Sequence, residues 1–69
     1  MSVVQLMEKG KVGDEVAVTA VLPSLLGDTV ARLSEVRTDR TEASVSFMSG
    51  GILVKRATFR KENEGWMEC

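Results

Sequence analysis

Short alternating runs broken by turn residues constrain this chain most. Glu15–Leu22 reads E-V-A-V-T-A-V-L. Val16, Val18, Ala20 and Leu22 fall on one side, as a half-buried strand requires. The other side carries Ala17, Thr19 and Val21, which is also largely apolar. Pro23-Ser24-Leu25-Leu26-Gly27-Asp28 ends the run, because proline has no N–H for a ladder and Gly-Asp supplies turn chemistry. A second strand is expected over Thr29–Arg37 and a third over Ala43–Met48, joined by the polar stretch Thr38-Asp39-Arg40-Thr41-Glu42. Ser49-Gly50-Gly51 is a hairpin signal, with a fourth strand over Ile52–Arg60 behind it. Lys61-Glu62-Asn63-Glu64-Gly65 breaks the pattern again, and Trp66–Cys69 reads as a short fifth strand or a docked tail.

The first ten residues differ. Ser2 can cap a helix, and Gln5 stands where a capping box wants Glu or Gln. Val3, Leu6 and Met7 share a face, and Gly10 is a natural stop. Two turns of helix are unstable alone, so the segment must dock on the strands. Gly13-Asp14-Glu15-Val16 is echoed by Gly27-Asp28-Thr29-Val30, the same turn chemistry used twice before a strand.

Turn-bounded strands with short loops pair as sequence neighbours. The expectation is therefore a mainly β (α+β) domain spanning 1–69: an antiparallel meander of four to five strands with one short N-terminal helix. So small a helix cannot cover a sheet that offers Ala17, Val21, Ile52, Leu53 and Val54 as apolar atoms on both faces. At 69 residues the core is marginal as well. A second copy completing the core follows as the expectation, a homodimer or higher oligomer.

Composition narrows the chemistry. The chain has no His and one Cys, which excludes an intrachain disulfide and leaves no ordinary zinc ligand set. No motif asks for a cofactor. No apolar run approaches the roughly 18 residues of a membrane span, and no signal-peptide pattern opens the chain, so the expected location is cytoplasmic. The formal net charge is −1, yet residues 29–61 hold seven cations against three anions. Those cations (Arg32, Arg37, Arg40, Lys55, Arg56, Arg60 and Lys61) open a nucleic-acid-binding small β-barrel as an alternative. The aromatics that usually stack bases are reduced to Phe47, Phe59 and Trp66, with Phe47 facing inward by alternation. Charged strand edges that block aggregation account for the same cations.

Nucleophilic catalysis has no base to use, since neither Cys69 nor any serine has a histidine partner. Gly50-Gly51 lacks the lysine of a phosphate loop and reads as a turn. Asp28 reads first as a turn former, and Glu8, beside Leu6 and Met7, is the one acid placed to face a sheet-lined pocket. These two are the catalytic candidates.

Pro23, Gly27-Asp28-Thr29-Val30, Glu35-Val36, Arg40-Thr41, Ala43-Ser44-Val45, Gly51-Ile52-Leu53-Val54 and Arg56-Ala57-Thr58 together resemble the strand half of hot-dog-fold acyl thioesterases, in the group of phenylacetate-pathway and 4-hydroxybenzoyl thioesterases. The resemblance covers about half the chain. It implies dimerisation by sheet extension and an acyl-thioester pocket at the subunit boundary, with basic residues at its mouth meeting coenzyme A phosphates. Arg37 and Arg40 occupy the corresponding loop. The family's catalytic acid belongs to a long central helix that two turns cannot supply, so the resemblance assigns none here. An assembly or regulatory protein without a small-molecule site is the remaining alternative.

Overall fold

In a computed structural model, residues 2–18 and 29–69 are described. Helix α1 spans Val3–Lys9, followed by strands β1 (Glu15–Val18), β2 (Thr29–Val36), β3 (Glu42–Ser49), β4 (Ile52–Glu62) and β5 (Gly65–Glu68). The strands form one antiparallel sheet in the order β1-β2-β3-β4-β5, curled into a half-barrel. The mainly β meander with a short N-terminal helix is thus the architecture of the chain. The predicted continuation of β1 to Leu22, and the Pro23–Asp28 turn, lie outside the described residues.

The helix starts as its sequence dictates. Ser2 Oγ accepts from Gln5 N at 3.2 Å, and Gln5 Oε1 accepts from Ser2 N at 2.8 Å. That reciprocal pair satisfies two N–H groups which a helix start otherwise leaves open. At the other end Gly10 donates to Leu6 O, and a Cβ on Gly10 would sit 2.5 Å from that same oxygen. Close approach, and not an unusual backbone angle, requires the glycine.

Leu6 and Met7 are buried against the inner face of the sheet, where Val16, Ala31, Leu33, Ala43 and Val45 meet them. Register produces this face. Val16 pairs with Ala31, Leu33 with Val45, and Val45 with Ala57. Residues directly opposite share a face, so each match adds an apolar pair to one side. Val3, Val18, Val36, Phe47, Phe59 and Trp66 close the margin of the core.

Two register shifts interrupt the ladders. Leu33 pairs with Val45 and Glu35 with Ser44, leaving Ser34 as an extra residue in β2. Phe47 pairs with Lys55 and Met48 with Leu53, leaving Val54 extra in β4. The first shift aims Ser34 at the outer face, where its hydroxyl bonds that of Ser46. Such bulges raise local twist and help an open sheet curl. The β3–β4 turn has Gly50 at φ 59° and Gly51 at φ 80°, the left-handed pair of a tight hairpin connection.

Candidate functional site

The structure separates the candidate residues. Glu8 is on α1, half-buried, with its carboxylate 3.1 Å from Lys61 Nζ. Lys61 in turn lies 6.0 Å from the centroid of the Trp66 ring. Glu8 therefore sits in a surface ion pair at the helix rim. Asp28, the other catalytic candidate, lies outside the described residues.

Arg37 and Arg40 share the β2–β3 turn but point to different tasks. Arg37 is exposed and pairs with Asp39 at 3.3 Å and Glu42 at 3.2 Å. Arg40 is half-buried and turns back to the helix. Its Nη1 donates to Gly10 O at 2.7 Å and to Met7 O at 3.3 Å. Those carbonyls belong to the end of α1, where acceptors lack helical donors and a cation meets the negative end of the helix dipole. Arg40 adopts φ 61°, an unusual conformation for a residue with a side chain. The turn is otherwise ordered by Asp39, which accepts from Thr41 Oγ1 at 2.7 Å and from Thr41 N at 3.1 Å. The Thr41 hydroxyl, with its backbone N–H and the Arg37 guanidinium, holds the Asp39 carboxyl below its usual range.

The remaining cations divide between the two faces. Arg32, Arg56 and Arg60 project from the outer face, opposite or beside Ser46 and Glu42. Lys55 and Lys61 belong to the inner face, opposite Phe47 and Trp66. Most are paired: Lys55 with Glu68, Arg56 with Glu35, and Arg60 with Glu42. Phe47, Phe59 and Trp66 pack on the core. Among the described residues these cations and aromatic rings therefore form no single interleaved stripe.

A shallow cleft of about 260 Å³ opens where β2, β3 and β4 pass the turn, lined among others by Glu35, Glu42, Ser44 and Thr58. Ser44 and Thr58 hydroxyls are 3.2 Å apart across it. Val36 and Ala43 add apolar atoms to this lining, and Arg37, one of the two phosphate-binding candidates, stands at it as well. Among the described residues no cluster of three His, Cys, Asp or Glu could hold a metal ion.

The sheet has a different character at the β3–β4 hairpin. Ile52, Leu53 and Val54 are 71%, 55% and 43% exposed. On the outer face, Ala17, Val30, Met48 and Leu53 stand in one row across four strands, each opposite the next in register. Large apolar side chains grouped on a small surface mark an interaction site more often than isolated ones do. Ile52, Leu53 and Val54 were legible in the sequence as excess apolar atoms. The row was not, because it depends on register across the bulge at Val54.

No protein-family model, curated protein or solved structure matches this chain.

Proposed function

We propose that the chain is a self-associating binding domain whose working unit is a homodimer or higher closed assembly of identical copies. One observation carries this reading: three consecutive apolar residues, Ile52, Leu53 and Val54, stand in solvent on a domain whose core is otherwise closed by α1. Burying such side chains releases roughly 1.5–3 kcal/mol each, and a second copy of the chain would bury them. The compartment we propose is the cytoplasm, where the exposed Cys69 would remain a free thiol.

The test is solution mass by light scattering across a concentration series. A mass at least twice the 7.5 kDa of the chain is expected. A 7.5-kDa species at every concentration overturns the reading. The acyl-thioester ligand implied by the resemblance belongs at the boundary between copies on this reading. Thermal stabilisation by coenzyme A or an acyl-coenzyme A supports that ligand. Its absence, with the assembly intact, leaves an assembly role alone.

A further inference from the structure

We infer that the second copy adds to the outer edge of β4 along Ile52–Ala57, antiparallel, with Leu53 of each copy opposite Arg56 of the other. This rests on the self-association proposed above and says where it occurs. β4 is the longest strand, with 11 residues, yet β5 pairs only with Phe59–Glu62. Beyond that, Cys69 N donates to Thr58 O at 2.8 Å, and there the cover stops. From Ile52 to Ala57 no strand among the described residues lies beside this edge. A row of open backbone donors and acceptors is a template for another strand.

Charge restricts the register. The open edge carries only two charged residues, Lys55 and Arg56. When all six residues are used, Ile52 faces Ala57 of the second copy, Leu53 faces Arg56 and Val54 faces Lys55. No cation then stands directly opposite a cation; the two Lys55 are offset by one residue, about 3.4 Å along the strands, and each has its own Glu68 at 3.6 Å. Sliding one residue toward the strand's C-terminus sets Lys55 on Lys55, and a second step sets Lys55 on Arg56, both destabilising. The same slide drives the second copy into Cys69.

The bulge completes the fit. Residues directly opposite in a sheet must share a face. Leu53 and Arg56 are both on the outer face, opposite Met48 and Ser46, while Ile52 and Ala57 are both on the inner one, opposite Ser49 and Val45. In a regular strand, residues three or five apart fall on opposite faces. The extra residue at Val54 restores the match, so β4 is complementary to itself in this register only because of its bulge. The aliphatic stem of Arg56 from the second copy then continues the row Ala17–Val30–Met48–Leu53. The Gly50-Gly51 turn of that copy meets the end of β5, and a turn without side chains leaves room for it.

Single-cysteine proteins test the register. Leu53→Cys and Arg56→Cys are each made with Cys69→Ser, then oxidised alone and mixed. The mixture is expected to cross-link at least several-fold more than either variant alone, because Leu53 and its own counterpart lie about 10 Å apart along the strands. Ala17→Cys with Cys69→Ser, at the far edge, is expected to stay uncross-linked with either. Leu53→Lys places a cation against Arg56 and is expected to weaken association at least tenfold by light scattering, with the circular dichroism spectrum unchanged. If the native protein associates but the mixture does not cross-link and Leu53→Lys associates normally, the β4 edge is the wrong surface and the self-association stands. A lone chain at all concentrations removes both.

Discussion

The two ends of the sheet are finished differently. At the end carrying the β2–β3 turn, polar groups have internal partners. Arg40 holds the carbonyls of Met7 and Gly10, Gly13 N donates to Leu33 O, and Leu33 N donates to Asp14 O. At the β3–β4 hairpin, apolar side chains stand in solvent and the backbone edge is open among the described residues. The first end is built as the interior of one molecule, whereas the second is the one we propose as half of an interface. The contrast teaches that a helix of two turns closes one end of such a sheet and leaves apolar side chains exposed at the other.

The sharpest way to break this contrast is in the closed end's core. Leu33, at 0% exposure, touches both the helix and β3. Leu33→Ala is expected to cost about 3 kcal/mol, a large share of what so small a domain holds. Chemical denaturation followed by circular dichroism measures it, and a loss below about 1 kcal/mol would mean that this end is loosely packed. Arg40→Ala is expected to cost about 1–2 kcal/mol, since two part-buried carbonyls lose a charged donor. Arg40→Gly is expected to lose less, because glycine adopts φ 61° without strain. Equal losses would show that the backbone conformation contributes nothing.

At the open end the order reverses. Ile52→Ser is expected to change the stability of the dilute single chain by under about 0.5 kcal/mol, because the side chain is already in water. Its effect should appear in association, read by light scattering. A loss of stability comparable to that of Leu33→Ala would abolish the distinction between the ends. The smallest effect concerns Asp39. Its carboxyl titrates below its usual value of 3.8 when folded, mainly through the Thr41 hydroxyl. Its contribution to stability is therefore present above that value and fades as pH falls through the folded one. Asp39→Asn should lower stability slightly at neutral pH and leave it unchanged at low pH, which flattens the acid limb of the stability profile, and NMR titration of the carboxyl in the native protein checks the direction.

Much of the architecture was legible because local chemistry and tertiary structure agree. The Ser2–Gln5 capping box, the Gly50-Gly51 turn and the alternation through Ser44–Phe47 each state their conformation within a few residues. The end of β4 was harder. Lys61 and Glu62 read as loop because they are polar, yet they pair with Trp66 and Gly65 at an exposed edge where polar side chains are at home. Neither bulge was visible, since an extra residue shows only against its partner strand. Arg40 was the least legible. Its sequence position suggested a ligand loop, whereas its guanidinium meets carbonyls about thirty positions earlier, a distance that no local pattern spans. Glu8 and Lys61, 53 residues apart, pose the same difficulty.

The strand order follows the chain order without a crossover. Each ladder therefore closes only a short stretch of chain, and the entropic toll of each closure is small. Assembly can begin at the glycine turn between β3 and β4 and zip outward in both directions, with no long excursion to wait for. Folding within milliseconds is the corresponding expectation for a topology dominated by near neighbours.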